Sequence, residues 1–261
     1  MFGASACGRA PLALAVMDLT IVGCSGSYPG PESAASCYLV DADGFRLLLD
    51  LGNGALGSLQ NHADLAGIDA VCLSHLHADH CLDMCGYHVF RTYHPAGSLP
   101  PIPVYAPAGA ADRLDRALGS DAHPMAEVFD FVPLVPGTVQ IGPVSVMVRR
   151  MNHPVETFGF RLEHGGKVIA YSADTGPTEQ LVGLADAADV LLCEASFLDG
   201  PDLPADLHLT ARQAGEYAAR AGVGRLALTH LVPWYSRERS LAEAATSFSG
   251  DISLATPGMV I

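Results

Sequence analysis

The stretch SHLHADH, residues 74–80, directly follows the apolar run AVCL and carries three histidines and an aspartate. The apolar run is typical of a buried strand, and a tight loop after it would point His75, His77, Asp79 and His80 outward at one place. Neutral imidazole nitrogens and carboxylate oxygens are ligands that Zn²⁺, Mn²⁺ and Fe²⁺ accept. Four such ligands exceed what one catalytic metal usually takes from one segment. The stretch therefore predicts a site for two metal ions.

A two-metal site needs further ligands, and three more side chains of the right type stand at the ends of apolar runs. His153 follows VSVMVRRMN, Asp174 follows KVIAYSA, and His230 follows RLALT. A single histidine at a strand end is usually a surface or core residue that binds no metal. The same arrangement after four strands is much harder to attribute to chance, given how specific the H-x-H-x-D-H core is. We predict that all seven side chains meet at one metal site.

The distribution of apolar runs predicts the fold class. Eleven runs rich in Val, Ile, Leu and aromatic residues read as strands, from DLTIVG at Asp18 to RLALTH ending at His230. Helical patterns cover residues 53–65, 82–93, 108–119, 179–188, 210–222 and 240–248. Strand follows strand early in the chain and helix alternates with strand later, so we predict an α/β sandwich with helices outside two facing sheets. We assign residues 18–261 to one domain and residues 1–17 to a loosely ordered N-terminal extension.

Composition limits the partners and the compartment. The chain has 14 Lys and Arg against 28 Asp and Glu, a formal net charge of −14, which repels nucleic-acid phosphates. Long RNA or DNA is therefore a disfavoured substrate. No apolar run approaches the roughly 18 residues that a membrane-spanning helix needs, so we expect no membrane association. Seven cysteines without regular spacing argue against a disulfide framework and predict a cytoplasmic location.

The motifs SHLHADH, MNH, SAD and LTH resemble those of the metallo-β-lactamase superfamily, and the similarity extends over nearly the whole chain from Asp18 onward. The resemblance implies a four-layered αββα sandwich of two facing mixed sheets with a two-metal cleft at its edge, and it implies a homodimer. Zn²⁺ is the metal we expect first, with Mn²⁺ and Fe²⁺ as alternatives. The resemblance assigns His75, His77 and His153 to the first metal. It assigns Asp79, His80 and His230 to the second metal, and Asp174 as the bridge between the two.

Two further residues narrow the reaction. Glu194 follows a strand in CEASF, and His208 opens a helix in DLHLTARQAG, an arrangement that resembles the phosphodiesterases of the superfamily, including ribonuclease Z. Phosphodiester cleavage expels a poor alkoxide leaving group, so a proton donor beside it lowers the barrier. We predict that His208 is the general acid and Glu194 its orienting partner, and we count Asp79 among the catalytic residues as well. The alternative is that Thr210 caps the helix and His208 is merely exposed.

A closer resemblance is to bacterial cyclic-nucleotide phosphodiesterases called atypical class II, in segments such as GCSGSYPGPESAASCYLV, YHPAG, SADTG and LTHLVPW. It implies hydrolysis of 3′,5′-cAMP, and of cGMP as a second substrate, to the 5′-monophosphate. Ribonuclease Z homodimers insert a long basic arm before the bridging aspartate, whereas only 20 residues separate His153 from Asp174 here. A small cyclic phosphodiester is therefore favoured. A ribonuclease Z-like endonuclease and a lactonase or thioesterase stay as alternatives.

Other residues near these motifs have weaker expectations attached. Asp50 is predicted either to accept a hydrogen bond from a ligand histidine or to cap the following loop. Trp234 forms a cleft wall, a dimer contact or part of the core. Glycines in GCSGSYPG, including Gly26, are expected to permit tight turns near the cleft. Four residues of the helix after the metal loop could line the base or ribose pocket, or could simply pack: Tyr87, Arg91, Tyr93 and His94.

Overall fold

The computed structural model describes residues 15–119 and 122–261, which form two seven-stranded sheets. Most of the predicted N-terminal extension, residues 1–14, lies outside the described residues, and the first strand begins at Met17. The first sheet has the strand order β2-β1-β3-β4-β5-β6-β7. Its strands are β1 (Met17–Ser25), β2 (Ala34–Ala35), β3 (Cys37–Ala42), β4 (Phe45–Leu49), β5 (Ala70–Cys72), β6 (Ile102–Ala106) and β7 (Phe129–Pro133).

The second sheet is built from the C-terminal half of the chain in the order β14-β13-β12-β11-β10-β9-β8. Parallel and antiparallel pairs occur in both sheets, so both are mixed. The strands of the second sheet are β8 (Gly137–Ile141), β9 (Val144–Arg150), β10 (Phe158–His164), β11 (Lys167–Tyr171), β12 (Val190–Glu194), β13 (Arg225–Thr229) and β14 (Asp251–Leu254).

Helices cover the outer face of each sheet. The first sheet carries α1 (Ala55–Leu59), α2 (Ala78–Cys81), α3 (Met84–Thr92), α4 (Ala110–Leu118) and α5 (Met125–Val128), with a short 3-10 helix at Leu65–Gly67. The second sheet carries α6 (Glu179–Ala185), α7 (Ala211–Ala221) and α8 (Arg237–Ala244).

Three apolar layers hold this arrangement together. The central layer lies between the sheets and contains Tyr38 and Leu49 of the first sheet and Phe160 and Val146 of the second. The other two layers lie between each sheet and its helices. Strand β9 shows the cause, since its valines alternate with less buried residues and face the central layer. The predicted four-layered αββα sandwich is confirmed.

The topology brings the chemically active segments to one edge. Strands β11, β12 and β13 are parallel, and β9 runs in their direction because both β9 and β11 are antiparallel to β10. Their carboxyl ends, followed by His153, Asp174 and His230, therefore open on the same side. The loop after β5 reaches this edge from the first sheet, where the amide of Phe158 donates a hydrogen bond to the carbonyl of Ser74.

Each of the eleven predicted strands corresponds to a strand of the structure. None of the helices in residues 15–119 and 122–261 has the length and apolar character of a bilayer-spanning segment. The six cysteines in the same ranges are all free thiols.

Candidate metal centre

Three of the predicted ligands converge through their ring nitrogens on one side of the cleft. His75 and His77 leave the carboxyl end of β5, and His153 leaves the end of β9. The Nδ1 atom of His77 lies 3.1 Å from Nε2 of His75 and 3.2 Å from Nε2 of His153. Three imidazole nitrogens directed at one point form the nitrogen-rich ligand set that Zn²⁺ takes from proteins.

A second group lies beside the first. The Nε2 atom of His230 is 3.2 Å from Nε2 of His80 and 3.0 Å from Oδ2 of Asp79. Asp174 stands between the two groups, with Oδ1 3.2 Å from Nε2 of His80 and Oδ2 3.7 Å from Nε2 of His75. The structure thus brings all seven predicted side chains to one place, with Asp174 between the two histidine groups.

Acceptors on the far side of the rings set which nitrogen of each histidine carries its proton. Nδ1 of His80 lies 2.8 Å from Oδ2 of Asp50, and Nδ1 of His153 lies 2.8 Å from the carbonyl of Leu207. Nδ1 of His230 lies 2.7 Å from Oγ of Ser196. A proton on these outer nitrogens leaves the lone pair on the inner one, as a metal ligand requires.

Serine hydroxyls, which sequence reasoning missed, extend two of these contacts to buried carboxylates. Ser74 Oγ lies 3.0 Å from Nδ1 of His75 and donates to Oδ2 of Asp50 at 2.8 Å. Ser196 Oγ contacts His230 and donates to Oε2 of Glu194 at 2.9 Å. Ser74 directly precedes His75 in SHLHADH, and Ser196 follows Glu194 by two positions in CEASF. This closeness in the sequence was the only signal that pointed to the two serines.

The electrostatics of the cluster favour cations. Burial, together with neighbouring His80, holds the pKa of His75 well below its usual range, and burial also lowers the pKa of His153. These rings are therefore neutral and able to act as ligands. Burial opposes a charge on Asp174, yet His230 and His80 hold the pKa of that carboxyl well below its usual range.

The residues present fit two divalent cations. Four carboxylates are buried here, and none of the ion pairs in the described residues joins them to lysine or arginine. Histidines are the ion-pair partners of these carboxylates in the described residues, and rings that act as neutral ligands would leave buried negative charge that cations compensate. The Oδ1 atom of Asp174 is buried and makes no hydrogen bond to the described residues. The four carboxylates are Asp50, Asp79, Asp174 and Glu194.

The predicted acid and its partner are in contact at the edge of this cluster. Nδ1 of His208 lies 3.0 Å from Oε1 of Glu194, and the His208 ring lies 5.5 Å from the ring of His153 and 5.3 Å from that of His230. Burial opposes the imidazolium, but the Glu194 carboxylate raises the pKa of His208 to about 9. Cations in the cleft would offset part of that rise.

His208 lies two residues before the N-terminal cap of α7. Thr210 caps α7 in a reciprocal pair with Gln213, as the alternative reading expected. His208 is nevertheless not an exposed residue before a cap, because its side chain is largely buried against Glu194 and Phe197.

The structure does not bring the four weaker substrate-pocket candidates to the cluster. Tyr87 and Arg91 are buried in the helical layer, where the Tyr87 hydroxyl donates to the carbonyl of Leu65 and Arg91 donates to the Tyr87 hydroxyl. The ring of Tyr93 contacts His123, and that of His94 contacts Phe90. The surroundings of Tyr87 and Arg91 support packing, the other reading that the sequence allowed, whereas Tyr93 is mostly exposed.

Asp50 and Gly26 both lie against histidines of the cluster. Asp50 accepts the contact from His80 that was expected of it, and also hydrogen bonds from Ser74 and the Tyr171 hydroxyl. Gly26 is required by close approach rather than by a turn, because a Cβ atom there would lie 2.4 Å from the carbonyl oxygen of His230.

A family model for the beta-lactamase superfamily domain matches residues 45–231. The chain belongs to this superfamily. The crystal structure of the metallo-beta-lactamase fold protein YhfI from Bacillus subtilis matches it with a TM-score of 0.84 at 28% identity, covering 94% of this chain and 98% of that one. Together with the histidine and aspartate cluster, this makes the protein a metal-dependent hydrolase of the superfamily.

Two further relatives are similar to this chain over more than nine-tenths of its length. An uncharacterized protein of Mycobacterium leprae (strain TN) is 45% identical over 246 residues, which cover 92% of this chain and 86% of the relative. A ribonuclease Z of Thermobifida fusca (strain YX) is 30% identical over 302 residues, which cover 93% of each chain.

Proposed function

We propose that the protein is a phosphodiesterase that opens 3′,5′-cyclic nucleotides, cAMP and also cGMP, to their 5′-monophosphates. The observation that carries the proposal is the contact between His208 and Glu194 beside both histidine groups. Hydrolysis of a thioester has less need of such an acid, because a thiolate departs more readily than a ribose alkoxide.

The ligands are proposed to hold two cations, most simply Zn²⁺, with His75, His77 and His153 on one, Asp79, His80 and His230 on the other, and Asp174 between them. Two such cations would neutralise phosphate oxygens and supply a nucleophile from water.

Two residues of the chain then serve the leaving group: Glu194 orients the ring of His208, and His208 donates the proton. Glu194 fixes the His208 ring, and the amide of Thr175 donates to the same Oε1 atom at 2.7 Å, which holds the carboxylate in place. With Nδ1 of His208 directed at Glu194, its Nε2–H is the donor for the 3′-oxygen of the substrate as the bond to phosphorus breaks. Asp79 takes part through its contact with His230.

A small substrate is favoured over a large RNA. The 20 residues between His153 and Asp174 are occupied by β10, β11 and their connections, so this span holds no long basic arm. The formal charge of −14 also gives little of the counterion release that drives nucleic-acid binding. The 30% identity to a ribonuclease Z is the observation that favours the second candidate, a tRNA 3′-processing endonuclease.

An assay with four substrates separates these functions. The metal-loaded protein is incubated with 3′,5′-cAMP, a 2′,3′-cyclic nucleotide, bis(p-nitrophenyl) phosphate and a pre-tRNA, and the products are resolved chromatographically. We expect 5′-AMP from 3′,5′-cAMP and an intact pre-tRNA. Cleavage of the pre-tRNA with no turnover of 3′,5′-cAMP would replace the first function with the second.

We propose that the protein is cytoplasmic, which the free thiols of six cysteines support. A homodimer is expected in solution and is tested by light scattering. Elemental analysis of protein purified without added metal tests for two equivalents of Zn²⁺ per chain.

A further inference from the structure

Two loops meet at the rim of the metal cleft on the side of His230. The amide of Gly26 donates to the carbonyl of Leu231 at 3.1 Å, and the amide of Leu231 donates to the carbonyl of Cys24 at 3.0 Å. The amide nitrogen of Ser27 lies 3.4 Å from Nε2 of His230. The loop of residues 25–30 therefore borders the metal centre directly.

These loops carry exposed aromatic side chains, which we call the aromatic rim: Tyr28, Trp234 and Tyr235. The rings of Tyr28 and Trp234 are 5.5 Å apart and inclined at 35°, and Tyr235 lies 6.2 Å from Trp234. Their exposed fractions are 41%, 61% and 36%. Only one other aromatic residue in the described ranges, Tyr93, is comparably exposed. Core packing, one of the roles expected for Trp234, is therefore excluded by its exposure.

Backbone and side-chain contacts hold the loop of residues 25–30, which carries Tyr28. The hydroxyl of Ser25 accepts a hydrogen bond from the amide of Gly30 at 3.2 Å and donates to the carbonyl of Ser33. Ser27 adopts a left-handed backbone conformation with φ of 64°, as does His230 with φ of 51°. A loop that is already held in position loses little conformational entropy when a planar ligand binds the ring it carries.

We propose that Tyr28 and Trp234 form the subsite for the nucleobase of the substrate, an inference that rests on the proposed function. A phosphate bound at the metal centre would leave the ribose and base to extend over the rim, since Ser27 at the cleft directly precedes Tyr28. Stacking on aromatic rings accepts any base because every base has a π-face. The rim therefore favours nucleotides over phosphodiesters that lack a nucleobase. It discriminates little between adenine and guanine.

The position of the rim argues for a substrate group over a second protein chain. A protein surface that covered Trp234 would lie over the loop of Ser27 and close the entrance next to His230. A nucleobase occupies the same rings only while its own phosphate is in the cleft.

Trp234 is the single tryptophan of the 261 residues, so fluorescence excited at wavelengths that tyrosine does not absorb reports on this site alone. The metal-loaded protein is titrated with 5′-AMP and, as a ligand without a base, with ribose 5-phosphate. We expect saturable quenching by 5′-AMP and none by ribose 5-phosphate. Tyr28→Ala should weaken the apparent affinity for 5′-AMP by about 5- to 10-fold, the lower range for a base stacked on an aromatic ring. Val135→Ala, which shortens an exposed apolar side chain elsewhere, should not change it.

Kinetics provide a second measurement. Trp234→Ala should raise KM for cAMP by about 10-fold and change kcat little. Trp234→Phe keeps an aromatic ring, so its KM should lie close to that of the wild type. With methyl ribofuranoside 3′,5′-cyclic phosphate, which has no base, Trp234→Ala should match the wild type.

The two proposals fail in different ways. Quenching by 5′-AMP without any turnover of cAMP would support the nucleobase subsite and contradict the proposed function. Turnover of cAMP with no quenching and an unchanged KM in Trp234→Ala would remove the subsite and leave the function. Fluorescence that changes with protein concentration, but not with 5′-AMP, would identify the rim as a contact between copies of the chain and overturn the subsite.

Discussion

Replacing His208 with alanine tests the proposed acid, because the carboxylate that holds His208 has other hydrogen-bond donors and is not left unpaired by the change. Glu194 would keep three of its four hydrogen bonds, from the amides of Thr175 and Ser196 and from the Ser196 hydroxyl, so the buried carboxylate stays anchored. We therefore expect His208→Ala to fold normally and to retain its metal content.

The expected loss depends on the leaving group. A positioned acid contributes about 10²–10⁴ in rate, and the ribose alkoxide of cAMP is a poor leaving group. Because Glu194 orients His208 and both are largely buried, we expect a loss of about 10³ in kcat/KM for cAMP, which corresponds to about 4 kcal/mol in the barrier. Bis(p-nitrophenyl) phosphate releases a stable anion that needs no proton, so its hydrolysis should fall by no more than about 10-fold.

The assay compares both substrates on the wild type, on His208→Ala and on His153→Ala, with metal content measured for each protein. His153→Ala, which removes a proposed ligand, should lose metal and activity on both substrates alike. An equal loss on both substrates in His208→Ala with full metal content would refute the acid role. Loss of metal would show that His208 is a ligand, as its closeness to His153 and Asp174 allows.

Three further predictions concern the metal centre. Gly26→Ala should displace His230 and lower the metal content measured by elemental analysis, whereas Gly57→Ala, where an added Cβ meets nothing within 4 Å, should leave it unchanged. Asp50→Asn should place an amide donor against the Nδ1–H of His80; we expect a loss of about 3 kcal/mol in urea unfolding and a 10- to 100-fold weaker metal affinity, and unchanged values for both would contradict the role of Asp50. Removal of metal by a chelator should lower Tm by roughly 10 °C, because free metal at about 1,000 times Kd adds about 4 kcal/mol to the native state; an unchanged Tm would argue against cations at the buried carboxylates.

The convergence of the seven candidate ligands could be predicted from the sequence because they follow strongly apolar strands. Parallel strands place their carboxyl ends at one edge, so the positions of His153, Asp174 and His230 in the chain also gave their positions in space. The same reasoning failed for strands that bury little. Strand β8 (GTVQI) and strand β14 (DISL) lie at sheet edges and are mostly exposed or half-buried, so they lack the apolar run that marks a central strand.

The substrate pocket was harder to predict, because helical spacing shows which residues share a face and not what the face contacts. Tyr87 and Arg91 are four residues apart and do share a face of α3, but that face packs against the first sheet. Tyr28 and Trp234 are about 200 residues apart in the sequence, and only the pairing of two loops brings their rings together. No local pattern could have paired them.

Glu194 connects the proposed acid to the metal centre in a way that constrains how the site can change. One of its oxygens accepts from His208 and from the amide of Thr175, which follows Asp174; the other accepts from Ser196, which contacts His230. A shift of this one buried carboxylate would therefore move the acid and two proposed ligands together. Three other proposed ligands have separate anchors: His80 contacts Asp50 directly, His75 contacts it through Ser74, and His153 contacts a backbone carbonyl. Most of the metal centre can thus persist when the acid is lost, so one fold can support hydrolases with different leaving groups. For this reason we infer the phosphodiester substrate from the contact between Glu194 and His208 and not from the metal centre alone.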